Sequence, residues 1–233
     1  MKSIKTLGIL FGMTLTFAGF SVFVRPTLAI SSTQQQSAVS TERMNAESLF
    51  ERGTEKINRG DYQSAITDLD RVIELDPNYI EAYCSRGMAY FGMGNLDRAI
   101  AQFDLALQVA PSHADAFNRK GIVLAQQGNL DLAVENFDRA IYFDSSFVDA
   151  YYNRGKARTE LENFQDAIAD YNAAIELDPT LAEAYGNRGF VRARLGNKQQ
   201  GLEDLQQAAK LFLDSGNIAG YQQTLAFIQM IER

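Results

Sequence analysis

The chain has 233 residues, 46% of them apolar, which is enough to bury a sizeable core, and its composition is typical of neither a disordered nor a fibrous protein. Acidic residues outnumber basic ones by 29 to 22, for a formal net charge of −7. Nucleic-acid binding requires clustered cations, so we expect protein partners and no nucleic acid.

The first 29 residues have the pattern of a secretory signal. Lys2 and Lys5 precede an uncharged apolar run over residues 7–24, and the small residues Thr27 and Ala29 fit a peptidase that cleaves after Ala29. The run is also close to the length that spans a bilayer as a helix, so a retained membrane anchor is the alternative. Both interpretations place the remaining chain outside the cytoplasm, in the periplasm or thylakoid lumen if cleavage occurs and otherwise anchored to the membrane.

Residues 30–45 are rich in serine, threonine and glutamine and show no helical periodicity. They are therefore expected to form a flexible linker. If the first segment stays in the membrane, this linker becomes a tether that reaches about 20 Å by random-coil scaling.

A sequence repeat follows the linker. Glycines fill one column of the self-alignment: Gly53, Gly87, Gly121, Gly155 and Gly189. Small residues fill a second: Ala65, Ala99, Ala133, Ala167 and Gly201. Large residues fill two more: Leu49, Tyr83, Phe117, Tyr151 and Tyr185, and Leu69, Phe103, Phe137, Tyr171 and Leu205. Such self-similarity predicts five repeats, 46–79, 80–113, 114–147, 148–181 and 182–215.

Each repeat has the pattern of two amphipathic helices joined by a turn. In the second repeat the predicted helices cover 82–93 and 96–109. The column glycine lies inside the first helix, where glycine costs about 1 kcal/mol relative to alanine. We therefore expect it to admit a large residue of the second helix, as Gly87 would admit Phe103.

A capping helix is predicted over residues 216–233. Ile218, Tyr221, Leu225 and Ile228 recur at the spacing of one helix face and are expected to pack on the fifth repeat. The opposite face carries glutamines, which would meet water and end the stack.

These columns resemble the tetratricopeptide repeat, a helix-turn-helix unit of about 34 residues with an aromatic residue, a glycine, an alanine and a closing proline in this order. Three repeats of this chain close on proline, at Pro77, Pro111 and Pro179. The resemblance covers residues 46–215. It implies an all-α, right-handed α-solenoid of five repeats and a C-terminal capping helix, in which the first helices line a concave groove.

The same resemblance implies which residues bind a partner in the groove: Phe50, Thr54, Ile57, Cys84, Met88, Phe91, Asn118, Ile122, Tyr152, Lys156, Phe190 and Arg194. They vary from repeat to repeat, as expected where a ligand and not the fold sets the residue. The first half of this set is apolar, whereas Lys156, Arg158, Arg192 and Arg194 predict a more basic second half.

A basic residue precedes every column glycine: Arg52, Arg86, Lys120, Arg154 and Arg188. One interpretation is a ladder that binds acidic ligands. The favoured one is structural, with long side chains packing on apolar surface while their charged ends reach solvent or acids such as Asp70, Asp104 and Asp138.

No catalytic, cofactor or metal site is predicted. The only histidine, His113, lies at a repeat boundary and far along the chain from the only cysteine, Cys84, so neither a histidine-assisted nucleophile nor a His/Cys metal site is expected. Carboxylate pairs such as Asp166 and Asp170 are expected to be solvated helix faces. The lone Cys84 is interpreted either as a thiol facing the groove or as a small buried hydrophobe.

The sequence thus predicts a noncatalytic scaffold that binds a peptide or a protein subunit in its groove. Exported bacterial proteins of this family, including those of photosynthetic bacteria, often serve the assembly of envelope or photosynthetic membrane complexes, which makes this role the leading hypothesis. The alternative is a regulatory or substrate-recruiting subunit of an exported enzyme. The partner's identity and the oligomeric state stay open.

Overall fold

The computed structural model describes residues 32–232, in which every regular element is an α-helix. The chain divides into two units, 1–38 and 39–233, and the packing described below belongs to the second. The predicted signal or anchor over 1–29 lies outside the described residues. Within the described part, none of the helices combines the length and apolarity needed to cross a membrane.

Eleven helices are described: α1 Ser32–Asn58, α2 Tyr62–Leu75, α3 Ile80–Gly92, α4 Leu96–Val109, α5 Ala114–Gln126, α6 Leu130–Phe143, α7 Val148–Glu160, α8 Phe164–Leu177, α9 Ala182–Arg194, α10 Lys198–Asp214 and α11 Ile218–Glu232. Each repeat from the second to the fifth holds one pair, and consecutive helices from α2 to α11 pack on each other. The predicted fold class, an α-solenoid of five helix-turn-helix repeats followed by one terminal helix, is confirmed.

Helix α1 begins earlier than the sequence analysis predicts. It starts at Ser32, so the structure differs from the predicted flexible linker over 30–45. Neither proline nor glycine occurs between Pro26 and Gly53, and the glutamine, glutamate, methionine and alanine residues there favour helix. A helix nucleated in the first repeat can therefore continue towards the N-terminus.

The glycine column lets the two helices of a repeat approach closely. A β-carbon at Gly87 would lie 2.8 Å from the ring of Phe103, and one at Gly121 would lie 2.6 Å from the ring of Phe137. Both rings are at most 1% exposed. The predicted packing of glycine against a large residue is confirmed, and the alanine column is fully buried beside it.

The first helices of successive repeats lie side by side. Helix α3 contacts α5, α5 contacts α7, α7 contacts α9, and α9 contacts α11. We call the groove the surface formed by the first helices of the five repeats, α1, α3, α5, α7 and α9, and by α11. Helix α11 therefore stands where the first helix of a sixth repeat would stand.

The face on which α11 packs agrees only in part with the predicted one. Ile218 is 51% exposed, whereas Thr224 is buried and a β-carbon at Gly220 would lie 2.7 Å from the ring of Phe212. The predicted packing holds for Tyr221, which packs against the buried cluster of Ala182, Ala208 and Phe212, and small residues of α11 add a close contact with the Phe212 ring. The predicted exposure of the glutamine face is confirmed for Gln222, Gln223 and Gln229.

The turns inside the repeats require a left-handed residue. In four repeats this position is a glycine with φ between 74° and 86°: Gly60, Gly94, Gly128 and Gly196. The fourth repeat has Glu162 there, with a φ of 61°. A residue with a β-carbon is strained in this conformation by about 1–2 kcal/mol.

Replacing Glu162 with glycine is therefore expected to raise the free energy of unfolding by about 1 kcal/mol. The ion pair that Glu162 makes with Arg194, at 3.7 Å, is exposed on both sides and contributes little. Urea denaturation followed by circular dichroism measures the change. In the matched control, Gly128→Ala, the same strain is introduced and stability should fall, so a destabilised Glu162→Gly protein would contradict the argument.

Candidate functional site: the groove

Hydrogen bonds between neighbouring repeats occupy part of the groove. The Nδ2 amide of Asn153 donates to Oδ1 of Asn118 at 3.1 Å, and Nδ2 of Asn187 donates to the hydroxyl of Tyr152 at 3.2 Å. The two members of each pair lie about one repeat apart in the sequence. Asn118 is only 4% exposed, so it holds two repeats together and has little surface for a partner.

The first half of the groove is less open than predicted. Phe50 packs on Tyr79 with ring centroids 5.0 Å apart, and Ile57 packs against the core beside Phe50. Met88 and Phe91 are half-buried and pack on the core of the second repeat. The hydroxyl of Thr54 donates to a backbone carbonyl of its own helix. These apolar residues mainly complete the core.

The second half of the groove contains a pocket of about 380 Å³ between α9, α10 and α11. The rings of Phe190 and Phe227 meet edge to face there, with centroids 5.9 Å apart. Tyr152 of α7 also lines it, and burial raises the pKa of its hydroxyl. The pocket combines aromatic walls with the polar groups of Glu183 and Asn187, the composition expected of a site that takes a ligand side chain.

Two glycines line this pocket, and one of them, Gly186, leaves open space in it. Gly186 and Gly220 both line it, and a β-carbon at Gly186 would meet only the β-carbon of Ala208, at 3.8 Å. The same column carries Phe50, Cys84, Asn118 and Tyr152 in the earlier repeats. The missing side chain at Gly186 therefore leaves space for the pocket, whereas the space at Gly220 is filled by the ring of Phe212.

A second pocket of about 360 Å³ lies between α5 and α7. Ile122, Asn153, Lys156 and Glu160 are among its lining residues. The ammonium of Lys156 also lies 5.6 Å from the centre of the Tyr152 ring, so this residue connects the two pockets. Of the predicted groove residues, Ile122, Tyr152, Lys156 and Phe190 line pockets.

The prediction of a basic second half is wrong for two of its residues. Arg158 donates to Asp170 at 2.9 Å and Arg192 to Asp204 at 2.8 Å, and both carboxylates are buried. Arg194 lies over the ring of Phe164, 5.2 Å from its centroid. Arg158 and Arg192 are thus paired within their own repeats, and Arg194 packs on the preceding one, so an acidic ligand gains little from them.

The basic column has a structural role, as the favoured interpretation predicted. Arg86 binds Asp70 and Lys120 binds Asp104, and each aspartate stands on the second helix of the preceding repeat. Each contact therefore ties one repeat to the next. The alternative interpretation, a ladder that binds acidic ligands, is not favoured, because these cations are already paired with aspartates.

In three repeats the basic column also clamps a buried aspartate within the repeat. Arg52 and Lys56 bind Asp68, and the hydrogen bonds from Arg52 contribute most to lowering the pKa of that carboxyl to about 2. The same arrangement holds Asp170 and Asp204, each by two arginines. The clamp recurs wherever the next turn of the first helix carries a second cation on the same face.

Comparison with known families agrees with this architecture. A tetratricopeptide repeat model matches residues 84–146, and a TPR repeat model matches residues 53–94 and 155–196, together more than half of the chain. The chain belongs to the tetratricopeptide repeat family. Membership supports a protein–protein interaction scaffold, since stacked repeats present an extended binding surface.

Solved tetratricopeptide repeat structures share the fold at low sequence identity. MamA from Desulfovibrio magneticus RS-1 is 24% identical with a TM-score of 0.64, over 73% of this chain and 96% of that one. YrrB, described as a TPR protein with an unusual peptide-binding site, is 23% identical with a TM-score of 0.58, over 80% and 95%. Yeast Tom70 is 19% identical with a TM-score of 0.71, over 86% of this chain and 42% of Tom70. No curated protein matches the sequence.

Several pocket residues of this tetratricopeptide repeat protein were not predicted from its sequence: Glu183, Gly186, Asn187, Gly220, Thr224 and Phe227. The signal that could have identified them is the pair Gly186 and Gly220, which lie one repeat apart in a column where other repeats have side chains. The site is thus indicated by the absence of a side chain, which leaves a ligand-sized space, and not by a conspicuous side chain.

The structure brings together two residues that the sequence analysis kept apart. The sulfur of Cys84, a nitrogen of His113 and a carboxylate oxygen of Asp115 all lie within 4.8 Å of one another. Cys84 is buried, 4% exposed, which decides between the two interpretations of this thiol. Burial, and secondarily the nearby Asp115, raise the pKa of the Cys84 thiol to about 12.

Proposed function

We propose that this chain binds a segment of a partner protein in its groove, with an apolar side chain of the partner inserted between α9 and α11. The pocket lined by Phe190, Phe227 and Tyr152 carries the proposal, because it combines aromatic walls with unfilled space beside Gly186. The partner's apolar side chain is thus expected in the second half of the groove, although the sequence analysis predicts the apolar lining in the first half.

The groups around the pocket fit a peptide backbone as well as a side chain. Asn187 and Gln223 line it and offer amide donors and acceptors, while Glu183 supplies a carboxylate. An extended or helical peptide that runs along the first helices would reach the second pocket, where Lys156 and Glu160 lie. We infer a ligand with apolar anchors and few charges, since most cations of this region are paired.

We further propose that this binding takes place outside the cytoplasm, during assembly of a membrane or envelope complex. The signal pattern over residues 1–29 supports the location. N-terminal sequencing of the protein purified from its native source tests it, because cleavage after Ala29 would leave Ile30 as the first residue.

Filling the pocket is expected to weaken partner binding without unfolding the protein. A leucine at position 186 would occupy the space above Ala208 and block entry of a ligand side chain, so Gly186→Leu should weaken binding at least about tenfold, or about 1.4 kcal/mol. A peptide selected from a library on the purified chain, with its affinity measured by fluorescence anisotropy, provides the measurement.

Two further variants locate the site. Gly186→Ala adds only one methyl group and should keep most of the affinity. The pair Met88→Ser and Phe91→Ser tests the first half of the groove. Binding that survives Gly186→Leu but is lost in the serine variants would move the site to the second repeat. Binding that survives both would contradict insertion of a partner side chain between α9 and α11.

A further inference from the structure

We propose that Cys84, His113 and Asp115 form a zinc site that joins the second repeat to the third. One potential ligand atom from each residue, a sulfur, an imidazole nitrogen and a carboxylate oxygen, lies within 4.8 Å of the other two. These are the three ligand types that Zn²⁺ prefers in proteins.

The site lies between rigid elements. Cys84 belongs to α3, His113 is the residue before α5, and Asp115 stands in the first turn of α5. Cys84 thus lies in the first helix of the second repeat, His113 is the last residue of that repeat, and Asp115 belongs to the third. The hydrogen bond between Asn118 and Asn153 joins α5 to α7 with a similar offset in sequence. A metal ion would connect α3 to α5 where the later repeats use side-chain amides.

The sequence departs from its own repeat pattern at this place. The residue before the first helix is Tyr79, Phe147 or Leu181 in three repeats, and His113 alone is an imidazole. The chain contains one histidine and one cysteine, and the fold brings these two residues together. Packing requirements shared by all repeats do not explain the histidine.

Two existing contacts would have to yield to the ion. His113 Nδ1 accepts a hydrogen bond from the backbone N–H of Ala116 at 3.2 Å, and Asp115 Oδ2 accepts one from Arg119 at 2.5 Å. The cap is dispensable, because α3, α7 and α9 begin without a side-chain cap. A single cap bond is also weak compared with zinc coordination. The side chains of Asp115 and Arg119 are both about a third exposed or more, so they can separate.

The geometry favours zinc over the hard divalent cations. Calcium and magnesium select oxygen ligands, whereas a thiolate with an imidazole selects zinc or a similar transition metal. Ligand atoms around a tetrahedral zinc ion lie about 3.5 Å apart, so the three side chains need to close by about 1 Å. A fourth position would remain for water or for a group of a partner.

Cobalt substitution gives the decisive experiment, because the chain has no other cysteine. Co²⁺ is titrated into the purified chain freed of metal with a chelator, and absorbance is recorded in the ultraviolet and visible. We expect a thiolate-to-cobalt charge-transfer band and the visible bands of a tetrahedral ion, saturating at one equivalent. Zn²⁺ should bleach both by displacement and should raise the melting temperature.

Variants separate a built site from chance binding. Cys84→Ser should remove the charge-transfer band and the rise in melting temperature, while His113→Gln and Asp115→Asn should each weaken affinity at least about tenfold. Asp149→Asn, at the matching position of the next repeat, is the control and should change nothing. Circular dichroism of each metal-free variant confirms that it folds.

Three results would each overturn the proposal. The first is the absence of a charge-transfer band at one equivalent. The second is saturation at half an equivalent, which indicates an ion shared by two thiols from separate chains. The third is unchanged affinity in both His113→Gln and Asp115→Asn. The experiment does not depend on peptide binding in the groove.

Discussion

Replacing Asp170 with alanine is expected to lower the free energy of unfolding by about 3 kcal/mol. Asp170 is 2% exposed, and its two carboxylate oxygens accept hydrogen bonds from Arg154 at 2.6–3.1 Å and from Arg158 at 2.9 Å. Its removal leaves two guanidinium groups facing a buried methyl group. Both arginine side chains are at most 22% exposed, so water replaces the lost acceptor only partly.

The matched control is Asp138→Ala. Asp138 binds the same arginine, Arg154, at 2.5 Å, but half of its side chain is exposed, and Arg154 would keep Asp170 after the change. We expect a loss of less than about 1 kcal/mol. Comparison of the two variants separates a buried clamp from an exposed ion pair made by one guanidinium.

The measurement has two parts, because repeat arrays can unfold in stages. Urea denaturation gives the overall change, and hydrogen exchange shows where protection is lost. Asp170→Ala should release amides of α7 and α8 first, since Arg154 and Arg158 lie on α7 and Asp170 lies on α8. Equal losses from Asp170→Ala and Asp138→Ala would contradict the assignment.

The fold could be predicted from the sequence because its contacts repeat. Gly87 against Phe103 is the same contact as Gly121 against Phe137, so one explanation accounts for a whole column. The ion pairs of the basic column were predictable in the same way, with partners such as Asp70 and Asp104 at a constant spacing.

The candidate site was harder to predict because it is built from residues that do not repeat. Family geometry pointed to Phe50 and Asn118 as groove residues, but it did not show that Tyr79 and Asn153 already pack on or bind them. The pocket depends on Gly186, which has no side chain and therefore gives no signal of a binding residue in the sequence.

The separation of Cys84 from His113 along the chain also led to a wrong prediction, because the two side chains are close in space. His113 and Asp115 follow Cys84 in the sequence by a little less than one repeat, and in most folds residues with this separation are not expected to be close in space. In an array of stacked repeats, however, residues about one period apart lie on adjacent helices. A search for ligands at that spacing would have found the cluster.

Replacing Gly121 with alanine is expected to destabilise the protein by about 2 kcal/mol, although alanine favours helix by about 1 kcal/mol. The added β-carbon would lie 2.6 Å from Cε1 of Phe137 and 2.9 Å from its Cδ1. Phe137 is 1% exposed and surrounded by core, so its ring cannot move aside. Thermal and urea denaturation provide the measurement.

Gly186→Ala is the matched control, since it also places alanine inside a first helix. Its β-carbon would meet only Ala208, at an ordinary 3.8 Å, so helix propensity alone should act and stabilise the protein by up to about 1 kcal/mol. The two variants are thus expected to change stability in opposite directions. The same sign for both would show that propensity, and not the approach of the second helix, governs the glycine column.

A second substitution can then relieve the clash. In the first repeat a leucine, Leu69, faces Gly53, and a β-carbon there would lie 3.1 Å from it, farther than the 2.6 Å at Gly121. Phe137→Leu should therefore be less destabilising in the Gly121→Ala background than in the wild-type chain, with a coupling of about 1 kcal/mol in a double-mutant cycle. Additive effects would mean that Phe137 is not the residue that excludes a side chain at position 121.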